Sequence, residues 1–420
     1  MHLIVESVHI PVEIYIIIAS SVVSFIYYMI NGFASVFYSK NREYSIYGPG
    51  DVTVVMPVYN EDVQTFRMAV NSIARQKPAR FIVVGDSSDE PYRTIATSAG
   101  AEFYLNIPRQ GKRKALAYAM RMVKTPLVMF VDSDTIVPDG AIMSMASKVG
   151  PNIGGVGANI GIINDGRKVS YSSEFVERMR EIIFRALSKN GSTMVLDGRC
   201  CLYRTGLISE LILSEKFTDP RVLGKRSVMG DDRQMTSYII SKGYRAIKDF
   251  DVKVLTKSQE SFRKFFRQQV RWARVGWYYY FKELLNGTAR KAGALYTFEQ
   301  TYAYTLPILL IVLGLMRFYD VIYWHLAVHH FEFYHHFHPE HLLTAMIAFN
   351  TRFKDVFITR AMTSILDFFG LSIFAISLNA KMGKERLRVW GYGAIALLLM
   401  FITTVYGLFT FWKQGRWLTR

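Results

Sequence analysis

Leu127-Val128-Met129-Phe130-Val131-Asp132-Ser133-Asp134-Thr135 is the stretch on which the reading of this chain turns. Five apolar residues run without a polar break, the pattern of a strand buried on both faces. Two carboxylates follow at once, at i and i+2. Acids that close a buried strand stand at the sheet edge where an open α/β sheet collects its ligands. Their hard oxygens suit Mg²⁺ or Mn²⁺, so Asp132 and Asp134 are expected to hold a divalent cation. An Asp-x-Asp triplet also recurs in ordinary turns, and the elements around it decide between the two.

Toward the N-terminus, Lys112 to Lys124 reads as a helix, Phe81-Ile82-Val83-Val84 as a strand, Val63 to Gln76 as a helix and Val52 to Val58 as a strand. Strands alternating with helices imply a parallel sheet with right-handed crossovers. These strands also end in polar chemistry. Tyr59-Asn60-Glu61 closes the first, and Asp86 the second. An acid at a strand tip can accept a hydrogen bond from a nucleobase or ribose, or simply organise a turn. Tyr59 and Glu61 are expected to wall the same pocket. Gly111-Lys112-Arg113-Lys114 opens a helix, where cations and free backbone N–H groups suit a phosphate. A solvated run of charge is the rival reading.

Toward the C-terminus, Gly230-Asp231-Asp232-Arg233 precedes a helical Gln234 to Ser241. A carboxylate there can take the proton of a hydroxyl as it attacks an electrophilic carbon, or serve as a plain cap. Gln268-Gln269-Val270-Arg271-Trp272 lies in a basic, aromatic helix with Phe262-Arg263-Lys264-Phe265-Phe266-Arg267. Such a helix suits a membrane interface, with Lys and Arg snorkelling. Arg271 could also hold a departing anion, and Trp272 could offer an apolar face to a sugar ring.

Apolar runs flank this region. Val12 to Phe37, Tyr302 to Trp324, Val356 to Leu378 and Trp390 to Trp412 are each long enough to cross a hydrocarbon core of roughly 30 Å. A His-rich segment, His325 to His341, joins the second and third. Lys40 and Arg42 follow the first run directly, which places the N-terminus outside and the next domain in the cytoplasm. Four spans then leave a conflict. Lys381-Met382-Gly383-Lys384-Glu385-Arg386-Leu387-Arg388 and Lys413 to Arg420 are both basic, yet they flank one run. Either one violates the charge rule, or a run counted as a span is interfacial or re-entrant.

Composition agrees with a mixed soluble and membrane protein: of 420 residues, 50% are hydrophobic while 20% remain charged. The net charge of +17 fits cytoplasmic-face Lys and Arg, with attraction to anionic lipid or nucleotide sugars as the functional addition. No recognition motif for nucleic acid accompanies it. Cys200 and Cys201 are adjacent, poorly placed to bridge one another and without zinc spacing; ordinary buried thiols are expected.

Together these motifs resemble the membrane-embedded, processive family 2 glycosyltransferases: hyaluronan synthase, chitin and cellulose synthases and the pneumococcal type 3 capsule synthase. The resemblance runs from the first span to the last. Gln268, Arg271 and Trp272 match the Gln-x-x-Arg-Trp of the processive branch. Asp132-Ser133-Asp134-Thr135 and Gly230-Asp231-Asp232-Arg233 are similar to the hyaluronan and capsule synthase versions. It implies an α/β GT-A-type glycosyltransferase domain with a Rossmann-like mixed sheet, cytosolic, fused to an α-helical transmembrane domain. Residues 1–40 would hold the first transmembrane helix, 41–260 the transferase domain, 261–298 amphipathic interface helices and 299–420 the helices of a polymer channel.

By that resemblance Asp232 is the catalytic base and Asp134 the principal ligand of Mn²⁺ or Mg²⁺, with Asp132 beside it. Asp86 and Tyr59 would take the uridine of a UDP-sugar, and Lys112 and Arg113 would face the phosphates. Gln268 and Arg271 would contact the diphosphate or acceptor and Trp272 the acceptor sugar, with Glu61, Arg204, Asp231 and Arg233 as further substrate-binding residues. The implied reaction inverts α-linked donors into a β-linked polysaccharide and passes the polymer through the membrane, with no obligatory protein partner. Poly-N-acetylglucosamine, chitin or β-glucan are alternative products, and a non-processive lipid-phosphate transferase is a second alternative. Two departures stand out. Asp197-Gly198-Arg199-Cys200-Cys201-Leu202-Tyr203-Arg204 carries Arg199 where hyaluronan synthases have Pro. Trp417-Leu418-Thr419-Arg420 matches three of four residues of a gating Trp-Gly-Thr-Arg motif.

Overall fold

The computed structural model describes residues 12–38, 46–334 and 339–416. Lys40, Arg42, part of the His-rich connection and Trp417-Leu418-Thr419-Arg420 lie outside the described residues. In chain order the elements are α1 (Val12–Val36), β1 (Val52–Val58), α2 (Val63–Ala74), β2 (Arg80–Asp86), α3 (Tyr92–Ser98), β3 (Glu102–Asn106), α4 (Lys112–Met120), β4 (Leu127–Val131), α5 (Ala141–Ala146), β5 (Ile153–Ile162) and α6 (Lys168–Asn190). There follow β6 (Cys200–Arg204), α7 (Thr205–Ile212), α8 (Glu215–Thr218), β7 (Arg221–Val222), β8 (Lys225–Arg226), α9 (Asp231–Ser241) and β9 (Arg245–Thr256). The last are α10 (Phe262–Leu285), α11 (Thr288–Ala292), α12 (Ala294–Tyr334), α13 (Pro339–Asn379) and α14 (Arg386–Leu408).

A seven-stranded sheet has the order β3-β2-β1-β4-β6-β5-β9. It is a GT-A-like, Rossmann-like mixed sheet. β1 pairs in parallel with β2 and β4, and β2 with β3. β6 instead runs antiparallel between β4 and β5. Alternation of elements alone had pointed to a parallel sheet. The long α6 reverses the chain before β6, a turn that hydrophobic pattern does not encode.

Both faces of the sheet are covered, which explains the unbroken apolar strands. Val52, Val54, Met56 and Val58 enter one core with Phe66 and Ile142; Val55, Ile82, Val84 and Phe130 enter the other with Leu116 and Ile239. Adjacent Cys200 and Cys201 point into opposite cores, and both thiols are free and buried as expected. Local caps set the helix starts. Asp62 accepts from the Thr65 N–H at 3.0 Å to start α2, and Ser261 accepts from Lys264 N–H at 3.3 Å to start α10.

Among the described residues, four helical stretches are long and apolar enough to cross a membrane: Ile14–Val36, Ala294–Met316, Phe357–Asn379 and Arg386–Leu408. The chain divides into two compact units, Met1–Val36 with Tyr302–Ser377 and Phe37–Thr301 with Leu378–Arg420. In the first, the three helices meet through small and polar groups, as helices in lipid do. Tyr27 stacks on Tyr302 with ring centroids 3.9 Å apart, Ser21 donates to Asp367 at 3.1 Å, and Gly370 lies against Phe25.

The second unit holds the sheet together with α14. Here α6 carries its charges inward: Arg178 is 1% exposed, paired to Glu174 at 3.0 Å and to Glu181. Phe175 of the same helix packs edge-on against Trp390 of α14, 5.6 Å between centroids.

Candidate active site

The carboxyl ends of β2, β1 and β4 lie side by side and deliver Asp86, Tyr59 with Glu61, and Asp132 with Asp134 to one edge. The antiparallel β6 brings its own start to that edge, where the carbonyl of Arg199 accepts from the Asp132 N–H at 3.1 Å. Opposite stands the start of α9. Its N-cap, Gly230, has φ +67° and a Cβ there would meet Val275 Cγ1 at 2.6 Å, so both backbone and space demand glycine. That turn aims Asp231 and Asp232 inward.

Lys112, at the start of α4, joins the two sides. Its Nζ lies 2.6 Å from Asp132 Oδ1 and 3.4 Å from Asp231 Oδ2. Burial alone would weaken the ammonium's hold on its proton, but the charges of Asp132 and Asp231 outweigh it and raise the group well above its usual range. Burial pushes the carboxyls of Asp132 and Asp134 up, Asp132 further through the charge of Asp134, and Asp134 through that of Glu61. The two strand-end acids are thus both shifted toward taking up a proton, a condition that a bound divalent cation would relieve. Among the described residues no three His, Cys, Asp or Glu side chains form a metal cluster by themselves. Asp134 and Asp132 therefore fit a cation that takes its remaining oxygens from a phosphate and water, the usual manner of Mg²⁺.

Asp232 is raised from the aspartate range by burial and by the charges of Asp231 and Asp197. Its Oδ1 accepts from the Arg233 N–H at 2.7 Å. Asp231 goes the other way, because Lys112 and Arg113 outweigh its burial. Two adjacent acids are thereby split, one held ionised and one shifted toward accepting a proton. Arg271 reaches the same group from α10; burial lowers its proton affinity, and Asp232, Asp231 and Asp132 face it. Gln268 lies one turn earlier on the helix.

Trp272, the next residue on α10, stands among cations. The guanidiniums of Arg180 and Arg199 lie 5.2 and 5.8 Å from its ring centroid. Both pair with Glu177, at 3.0 and 2.8 Å, and Arg180 also reaches Asp197 at 3.0 Å. Lys248 adds 2.5 Å to Asp197, so three cations share two carboxylates. The neighbouring Gly198 backs onto the catalytic edge: a Cβ there would come 3.1 Å from Lys112 Nζ.

At the tip of β2, Asp86 accepts from the Gln110 and Gly111 N–H groups at 2.7 and 2.8 Å, which fixes the loop into α4. Arg109 lies over the Tyr59 ring at 3.7 Å and 3.8 Å from Asp86. Glu61 accepts from Ser133 at 3.3 Å, tying the β1 and β4 tips.

Three expected residues lie elsewhere. Arg204 is at the far end of β6, paired in register with Leu127, and donates to the carbonyls of Ile153 and Gly150; antiparallel β6 carries it away from the edge. Arg113 is spent on the carbonyls of Phe217 and Met229 and on Gln234, holding the loops around α9 rather than facing phosphate. Arg233 turns from the site to pair with the fully buried Glu283 at 2.8 Å, which also accepts from Tyr296 and Gln300. Sequence reasoning missed Arg109, Arg180, Asp197 and Gln414. Gln414 accepts from Ser227 Oγ at 3.0 Å and, at its carbonyl, from Val228 N–H at 3.0 Å, bracing the loop that enters Gly230. Arg180 sits in a helix whose charge pattern looks solvated, and nothing in the sequence separates it from a surface cation.

Residues 49–274, more than half of the 420, match the family described as Glycosyltransferase like family 2. The N-acetylglucosaminyltransferase of Azorhizobium caulinodans is 28% identical over 237 residues, covering 53% of this chain and 59% of that protein. That of Sinorhizobium fredii is 29% identical over 243 residues, covering 54% and 57%. The chain spans little more than half the length of these relatives. Among solved structures, a mannosyltransferase from Pyrobaculum calidifontis in complex with GDP-Man and Mn²⁺ superposes with a TM-score of 0.53 at 18% identity, covering 88% of this chain and all of that one. It shares the fold.

Proposed function

We propose, from the premise that this chain belongs to the glycosyltransferase like family 2, that it is an inverting, metal-dependent and processive polysaccharide synthase. It draws on UDP-activated sugars at the cytoplasmic face of a membrane and exports a β-linked polymer through its own spans. The observation that carries this reading is the split pair at the start of α9, with Asp232 raised and Asp231 lowered beside Lys112.

In the proposed step the acceptor hydroxyl attacks the anomeric carbon as the carbon–oxygen bond to the diphosphate breaks. Asp232 takes the hydroxyl proton, and the departing diphosphate keeps the bonding electron pair. Lys112 and Arg271 meet the charge that develops on it. A Mn²⁺ or Mg²⁺ held by Asp134 and Asp132 would neutralise the diphosphate as a Lewis acid. Tyr59 receives the base, and Trp272 offers its face to the acceptor sugar. Two carboxyl roles and no covalent nucleophile suffice.

The names of the relatives make N-acetylglucosamine the first donor to try, and support a poly-N-acetylglucosamine or chitin-like product over a hyaluronan-like or capsule-like one. Arg199 in place of a proline also weighs against hyaluronan. The test is incubation of the purified protein with single and paired UDP-sugars and Mn²⁺, sizing and digesting the product. A polymer supports the reading; one sugar on a lipid phosphate replaces it with a non-processive transferase; absence of UDP release with every donor overturns it.

A further inference from the structure

α14 is as apolar and as long as a membrane span, yet the catalytic unit holds it by both ends. Near its start, Tyr392 stacks on Tyr171 of α6 at 5.8 Å, Ser172 donates to the Tyr392 carbonyl at 2.9 Å, and Arg388 donates to the Tyr171 hydroxyl at 3.2 Å. Near its end, Trp277 of α10 donates to the Thr404 carbonyl at 2.8 Å, and Arg274 donates to Thr410 at 3.1 Å. From Val389 to Gly407 one stripe of α14 is buried: Val389, Gly393, Ala396, Thr403 and Gly407 recur at helical spacing. The contact is close, since a Cβ on Gly393 would meet Phe175 at 2.3 Å and one on Gly407 would meet Ala273 at 2.8 Å.

Those contacts extend along about 27 Å of helix, nearly the roughly 30 Å of a hydrocarbon core. If α14 crossed the bilayer, α6 and α10 would have to accompany it through the lipid. α6 carries Glu174, Glu177, Arg178, Arg180, Glu181 and Arg185, and charged helices of that kind are excluded from hydrocarbon. The opposite face of α14 is nonetheless built for lipid: Leu387, Leu398 and Phe409 are 84%, 60% and 66% exposed. Basic side chains stand at both ends, Lys384 before it with Arg386 and Arg388 in its first turn, and Lys413 and Arg416 after it, all exposed.

We propose that α14 does not span the membrane. It lies in the plane of the cytosolic leaflet with its exposed apolar face among the acyl chains and both basic ends against anionic headgroups. This rests on the membrane reading above. Three spans, α1, α12 and α13, then leave both flanking basic segments on the cytoplasmic side, which removes the conflict with the charge rule.

Single-cysteine variants Lys384→Cys and Arg416→Cys, treated with a membrane-impermeant maleimide, test the proposal. Cys200 and Cys201 give no background, being buried, with the Cys200 thiol pushed up to about 12 by that burial. Glu340→Cys, in the first turn of α13, is the control for the opposite side of the membrane. Both α14 variants should label in inverted vesicles and not in intact cells, with Glu340→Cys the reverse. Labelling of either α14 end from outside overturns the proposal. A nitroxide at Leu398→Cys reads depth independently: a shallow position supports the in-plane helix, and a position at the bilayer centre overturns it. Recovery of the chain in the soluble fraction without detergent would remove the membrane reading itself.

Discussion

The ammonium of Lys112 donates to Asp132 across 2.6 Å, so a residue expected to face phosphate is bound to a residue expected to face metal. A cation arriving at Asp132 must compete with that ammonium, and the displaced ammonium is then free for the diphosphate. On the proposed function, metal and donor binding would be coupled through this one lysine. Lys112→Met should bind Mn²⁺ more tightly, because one ammonium no longer shares the carboxylates, while transfer falls by about 10²-fold or more. Calorimetric Mn²⁺ titration checks the first part; weaker metal binding in the variant would show that Lys112 does not compete.

Asp134→Asn should abolish turnover while the protein still folds, since removing a buried like charge beside Glu61 relieves repulsion. Activity measured across an EDTA series checks the metal role. Full activity of the native enzyme in excess chelator would count against it.

Asp232→Asn should retain UDP-sugar binding and lose about 10²–10⁴-fold in transfer, the range typical of a general base. The native enzyme carries a pH signature as well. Asp232 must be ionised to accept a proton, and its folded-state value is raised. Activity at saturating metal should therefore fall on acidification within a window above the ordinary aspartate range near about 3.9. A limb at or below that value would move the base elsewhere, with Asp231 the next candidate.

Trp272→Ala should shorten or abolish polymer while leaving some UDP-sugar hydrolysis, since the donor acids stand on other elements. Gels normalised to folded protein read the length distribution. An unchanged distribution would leave Trp272 as packing for Arg180 and Arg199 alone.

Glu283→Gln should destabilise the fold by about 3–5 kcal/mol, because it leaves the Arg233 guanidinium without its buried countercharge. The double variant Arg233→Met with Glu283→Met should recover only part of the loss, since Tyr296 and Gln300 still lose their buried acceptor. Thermal unfolding of the three proteins in one detergent decides it.

The central sheet was legible because burial on both faces left Leu127–Val131 without a polar break and Val52–Val58 with Thr53 alone. Their terminal acids could be named for the same reason: once a strand ends at the edge of an open sheet, its next residue is at the ligand side. The antiparallel β6 was not legible, and Arg204 was misplaced with it. Arg113 and Arg233 show a second limit. A motif arginine beside an acid reads as substrate-facing, but which carbonyl or carboxylate takes its five donors depends on partners far along the chain, here Met229 and Glu283. The paired charges of α6 carry no sequence signal of their own, because buried paired charges and solvated ones have the same spacing.

The grip of Gln414 on Ser227 and Val228 has a consequence for how the protein comes into being. Gln414 comes after all four of the long apolar helical stretches in chain order. While the ribosome is still threading α12 and α13, the sheet and α9 already exist as polypeptide, but the loop that enters Gly230 has no brace. The brace arrives only when α14 has been made and seated. A newborn chain therefore braces the turn into Gly230 only after the last of those four apolar stretches has been made.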